Sequence, residues 1–213
     1  MKLGRFISFE GSEGCGKSTQ INRLQARLTA SGHQVEFTRE PGGTPLGESI
    51  RHLLKFAPEG EGMHPEAELL LFTASRAQLV RESLLPKLEN GVHILADRFL
   101  DSSVVSQGIA RGLDVETVRA INHFAVGPCL PDITFVLDMD AQTAHERALA
   151  ESEQRDRMES EALDFYETVR QGYLTLAKQE TDRLVVIDAS QTIDEIEAEI
   201  WNTLTNRFDG FSD

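Results

Sequence analysis

Cysteine is scarce in this chain, with two residues in 213, and tryptophan occurs once. Cys15 and Cys129 cannot make a disulfide framework, which excludes the small stapled scaffolds and suits a reducing cytoplasm. Long apolar runs are missing as well. None approaches the roughly 20 residues that a membrane-spanning helix needs. The opening MKLGRFISFEG enters a strand pattern at once, so no signal peptide is expected. Positive charge is also in deficit. The net charge is −14, which excludes a protein that coats DNA or RNA through a basic surface. Lysine is the scarcer cation, five against sixteen arginines. Arginine is the better planar fork for phosphate oxygens, and several arginines here sit beside glycine, proline or aspartate rather than on helix faces.

Apolar residues make up 40% and charged residues 26%, ordinary proportions for a globular domain. Short apolar runs alternate with helical patterns along the whole chain. RFISFEG, QVEFTRE, VHILADR, DITFVLDMD and RLVVIDAS read as strands. Helices are expected over Lys17 to Ser31, through LGESIRHLLKF, and over residues 65–88, where Pro86 should kink or end the helix. Further helices follow an Asp114 cap, span AQTAHERALAE, and run from Glu161 to about Asp182. The last helix opens with the capping box Thr192 and Glu195, and Ile193, Ile196, Ile200 and Leu204 form its apolar stripe. Continuous apolar strands alternating with helices predict an α/β fold, a five-stranded parallel sheet covered on both faces. No repeat, linker or low-complexity stretch divides the chain, so residues 1–213 form one domain.

The stretch FEGSEGCGKST carries the chemistry. Gly11, Gly16, Lys17 and Ser18 match the Walker A spacing in full, after a strand and at the start of a helix. The glycines let backbone N–H groups turn toward phosphate oxygens. Lys17 reaches the outer phosphates, and the Ser18 hydroxyl suits Mg²⁺. Ser12, Glu13, Gly14 and Cys15 fill the loop, Thr19 follows it, and ATP is expected along the whole run. Guanine-nucleotide switches usually carry an Asn-Lys-x-Asp motif, and none occurs here. Motor ATPases need far more chain. A small nucleotide kinase fits the length and requires a second phosphate site.

FTREPGGT after the second strand, FTASR in the long helix, and ADRF with LDSSVVSQGIARG after the third strand join that loop in a pattern that resembles the bacterial thymidylate (dTMP) kinases over nearly the whole chain. The resemblance implies the fold of P-loop nucleoside-monophosphate kinases with a short lid, and phosphorylation of dTMP by ATP. It implies that Phe72 stacks on thymine while Arg76, four residues on and on the same helix face, hydrogen-bonds the base. Asp97 suits Mg²⁺, directly or through water, and Arg98 suits the acceptor phosphate, both at a strand end where open α/β sheets bind ligands. Arg39 is placed to clamp the same phosphate. Ser103 and Gln107 are implied near the base, and a cis Glu40–Pro41 bond is implied to line the pocket with Pro41. Glu13 lies beside the triphosphate, where a carboxylate is unfavourable. In relatives an acidic residue at that position contacts the acceptor's 3′-hydroxyl.

The loop offers no catalytic arginine, so the chain is similar to the class that carries it in a lid, here about residues 151–160 with Arg155 and Arg157. Arg147 matches an arginine that stacks on adenine, and Asp188 to Gln191 is implied beside adenine. A homodimer through the helices after strands two and three is also implied. One departure stands out. Most relatives read AYQG where this chain reads VSQG, so Ser106 replaces a tyrosine that packs against the sugar near C2′. Phe99 is the candidate to fill the space. Two other readings stay open: a kinase for another pyrimidine monophosphate, and a P-loop protein that senses nucleotide without turnover.

Overall fold

The computed structural model describes residues 3–151 and 162–211. Five strands, β1 (Phe6–Glu10), β2 (Val35–Arg39), β3 (His93–Asp97), β4 (Ile133–Asp138) and β5 (Leu184–Asp188), form one parallel sheet in the order β2-β3-β1-β4-β5. The register puts Asp97 opposite both Phe9 and Arg39, so the carboxyl ends of three strands meet in one place. β1 has neighbours that come from later in the chain on both sides. That strand-order reversal opens the crevice in which such sheets bind ligands.

Alternation along β1 divides the core. Ile7 and Phe9 face a layer with Leu24 and Leu28 of α1 (Lys17–Ala30) and with Ile200 and Trp201 of α9 (Ile193–Arg207). Phe6 faces the other layer, with Leu79 of α3 (Pro65–Leu79) and Leu84. Central strands are buried on both faces, as continuous apolar runs require. The edge strand β2 is not, and its Glu36 and Phe37 are exposed.

Local signals act where expected. Asp114 caps α6 (Val115–Val126) by accepting from the Thr117 N–H, and Thr192 with Glu195 closes the capping box of α9. Ile193 departs from the expected stripe. It is 50% exposed at the first position of α9, and Trp201 takes its place in the core. Pro86 does not end its helix. A widened π-helical stretch at Val80–Leu84 precedes α4 (Leu85–Glu89), and the helix absorbs the ring there and runs on to Glu89. A helical run with no clear sequence signal follows β3. It comprises α5 (Leu100–Ser103) and a second π-helical stretch, Val104–Ala110, whose wider period hides it from a 3.6-residue pattern. α2 (Pro45–Lys55), α7 (Ala141–Glu151) and α8 (Leu163–Gln179) complete the helices that frame the crevice. No helix among the described residues is long and apolar enough to cross a membrane.

Candidate active site

The loop from β1 to α1 needs its glycines for two different reasons. Gly16 takes φ +93° just before α1, a conformation that side chains rarely adopt. At Gly14 a Cβ would lie 2.3 Å from the Ala144 carbonyl oxygen, so the loop is packed against the backbone of α7. Three helices are closed by side chains: Thr44 caps α2, Asp114 α6 and Thr192 α9. α1 has neither a side-chain cap nor an acidic residue in its first turn. An uncapped helix start of this kind, with its N–H groups and the positive end of its dipole, suits an anion such as phosphate. The Lys17 ammonium is buried against the loop, 2.7 Å from the Ser12 carbonyl oxygen and 3.4 Å from that of Gly11. A phosphate in the loop would take over these bonds. The Ser18 hydroxyl lies 3.4 Å from Asp97 Oδ2, which brings the two expected metal ligands together.

A cavity opens beside this loop. Glu13, Arg39, Asp97, Arg98, Phe72 and Gln107 are among the residues that line it. Arg98 Nη2 is 3.1 Å from Glu13 Oε1, and Lys17 Nζ is 3.9 Å from Glu13 Oε2. The Arg98 guanidinium, aided by Lys17, holds the Glu13 carboxyl well below the usual carboxylate range, against the effect of its burial. Those two cations explain how a carboxylate is tolerated inside a phosphate-binding loop. Arg39 is held by Glu48 at 3.0 Å and by the Pro41 carbonyl oxygen at 3.1 Å. The Glu40–Pro41 peptide bond is cis, and both residues line the cavity.

Arg76 sits differently from the expectation of a donor presented to a base. It is 1% exposed, and all five of its N–H groups have protein acceptors. Two go to Glu40 Oε2, at 2.6 and 2.8 Å. The others reach Ser103 Oγ, Asn122 Oδ1 and the Phe99 carbonyl oxygen. A direct bond to a base would require one of these partners to be released. Burial pushes the Glu40 carboxyl up to about 7 against the pull of Arg76, and its Oε1 is buried without a hydrogen-bond partner. Ser103 is buried at the cavity wall, where its hydroxyl accepts from Arg76 at 3.0 Å. Gln107 donates to Glu68 Oε1 at 2.9 Å and turns its other end to the cavity wall.

Ser106 lines the cavity. Phe99 does not fill the space beside it. That ring is fully buried, edge-on to Phe6 with centroids 4.8 Å apart. The wall is completed instead by Phe165, Tyr166 and Val169 of α8. These three were not identified from sequence, and neither were Arg51 and Lys55, which also line the cavity. The signal for the last two was available: they lie four apart on α2, beside its buried Ile50 and Leu54. Arg147 on α7 and Gln191 before α9 are exposed, as is Thr19 on α1. Arg155 and Arg157 lie outside the described residues.

A family model described as Thymidylate kinase matches residues 9–200. The thymidylate kinase of Deinococcus radiodurans is 48% identical over 207 residues, which span 97% of this chain and 99% of that one. That of Syntrophotalea carbinolica is 46% identical over 210 residues, 94% and 95% of the two chains. A crystal structure of thymidylate kinase from Ehrlichia chaffeensis matches with a TM-score of 0.76 at 33% identity, covering 95% of this chain and 98% of its own. With a nucleotide loop, an arginine-lined cavity and relatives that match from end to end, this chain belongs to the thymidylate kinase family.

Proposed function

We propose that this enzyme transfers the γ-phosphoryl group of ATP to dTMP, giving ADP and dTDP for dTTP synthesis. The observation that carries the reading is the convergence at the strand ends. The loop's Ser18 meets Asp97 at 3.4 Å, and the loop's Glu13 meets Arg98 at 3.1 Å, so the donor and acceptor sites share a wall. Arg98 and Arg39 hold the acceptor phosphate, which is already anionic and needs no general base. Glu13 faces the acceptor sugar, Phe72 covers the base, and Gln107 and Ser103 define the base end, with Arg76 acting there through its bond to Ser103. Lys17 holds the outer phosphates of ATP. Arg147 and Gln191 flank adenine, and Arg155 or Arg157 supplies positive charge at the transferring group.

Ser18 and Asp97 are both oxygen donors, a set that suits Mg²⁺ with water and phosphate oxygens in its remaining positions. Bound there, the ion would neutralise charge on the phosphates. A homodimer is supported by Leu70 on α3 and Phe124 on α6, 56% and 86% exposed on helices after strands two and three. Two free, buried cysteines suit the cytoplasm.

The test is ADP formation from ATP with a panel of nucleoside monophosphates. Preference for dTMP is expected. Preference for another pyrimidine monophosphate would replace the acceptor, and nucleotide binding without turnover of any acceptor would replace catalysis by sensing.

A further inference from the structure

Arg98 is the sole described non-glycine residue with a positive φ, +70°. A side chain held in that region needs a reason in its surroundings. The surroundings are built on Glu10, the last residue of β1 and fully buried. Its Oε1 accepts from the backbone N–H of Phe99 at 2.8 Å and of Ser102 at 3.3 Å, which fixes the turn that Arg98 begins. Its Oε2 accepts from two hydroxyls, Ser102 at 2.6 Å and Tyr173 at 2.7 Å. Tyr173 comes from α8 and is 2% exposed. Burial and the neighbouring carboxylate push its phenol well above the usual range, so it keeps its proton.

The proton count then decides the geometry. A hydroxyl has one hydrogen and two lone pairs. The two oxygens also lie 3.0 Å apart, and each keeps a lone pair for Arg98 while it bonds Glu10. Arg98 Nη1 lies 3.3 Å from each of them. Its two hydrogens are accounted for by Ser102 and Tyr173, and Nη2 is ion-paired with Glu13. Among the described residues, Nε–H has no protein acceptor. Nε and Nη2 are the free edge of a planar group that lines the cavity, and such an edge can bind two oxygens of one phosphate.

We propose that Tyr173 is a positioning residue, whose hydroxyl, oriented by Glu10, holds the Nη1 end of Arg98 so that its remaining donors face the acceptor phosphate. The inference rests on the assignment of Arg98 to that phosphate. Tyr173 is not among the residues that line the cavity. It acts from a helix 75 residues further along the chain, and no local motif links it to the site.

A double-mutant cycle tests this. Tyr173→Phe deletes one oxygen and keeps the ring. Tyr173→Met is a second deletion of the hydroxyl should the first not fold, with thermal unfolding as the check on both. With Arg98 present, Tyr173→Phe is expected to lower kcat by about 10- to 100-fold, the scale of a small misplacement of a reacting group, and to change the dTMP KM by less than about 3-fold. In an Arg98→Ala background the same substitution is expected to change kcat by less than about 2-fold, because the group it positions is gone. Equal losses in both backgrounds would mean that Tyr173 supports the fold rather than Arg98, and would overturn the proposal. Full activity of Tyr173→Phe beside a crippled Arg98→Ala would overturn it while leaving Arg98 in place. Full activity of Arg98→Ala would remove the assignment of Arg98, and the proposal with it.

Discussion

Glu40→Gln should change how stability depends on pH, and the structure sets the size of the effect. Glu40 is 3% exposed, and burial pushes its carboxyl up to about 7 from an ordinary 4.5 despite two bonds from Arg76. A raised acid favours the folded state while it holds its proton. That contribution is complete below pH 4.5 and is lost as pH rises toward 7. Over the window it amounts to on the order of 3 kcal/mol. His93 has the opposite sign. Burial, with His33 and Arg5 nearby, lowers it to about 4 from 6.5, so it stabilises the fold above pH 6.5 and ceases to do so as pH falls toward 4. The depressed carboxylates Glu13 and Glu180 are ionised in both states above pH 5 and drop out. Glu10, raised by burial and by Asp101, has the same sign as Glu40, so between pH 5 and 8 the falling contributions of these two acids oppose the rising one of His93. Glutamine cannot titrate, so the variant should gain about 2 kcal/mol or more relative to the parent across that range. Urea unfolding of both proteins at pH 5 and pH 8, with m-values held constant, measures the difference. Identical pH slopes would refute the reasoning, because they would show that Arg76 keeps Glu40 ionised throughout.

The remaining predictions concern turnover. Lys17→Ala should fold normally and lose most of its activity, and near-normal turnover would end the mechanism. One of Arg155→Ala and Arg157→Ala should fall steeply, since an arginine at the transferring group is worth on the order of 10³–10⁵, with dTMP affinity little changed. A fully active double variant would move that charge elsewhere, with Arg98 the first candidate. Ser106→Tyr should raise the kcat/KM ratio of dTMP over its ribonucleotide by up to about 10²-fold, the scale on which apolar packing rejects a hydroxyl. The buried position of Phe99 leaves that space to be filled. An unchanged ratio would leave Glu13 and the shape of the α8 wall as the discriminators.

Legibility followed the range of the interactions. Gly11, Gly16, Lys17 and Ser18 lie within eight residues, and the Thr192–Glu195 box within four. In each, one turn of chain contains both partners, so residue type and spacing determined the outcome. The five strands were equally plain, because a parallel strand buried on both faces must be apolar along its length. The cis Glu40–Pro41 bond was reached through resemblance rather than physics.

What lay beyond the sequence was which buried polar groups would find each other. Arg76 was expected to face a base, and its charge is instead absorbed by Glu40, Asn122, Ser103 and the Phe99 carbonyl oxygen, partners 23 to 46 residues away. Tyr173 meets Glu10 across 163 residues. A buried polar group must be paired, but that demand does not say with what. The sequence by itself determined that this chain builds a phosphate-binding loop between a strand of a parallel sheet and the helix that follows it. Tertiary structure alone decided which way Arg98 points and how far burial shifts Glu40, since orientation and desolvation exist only after distant segments have packed.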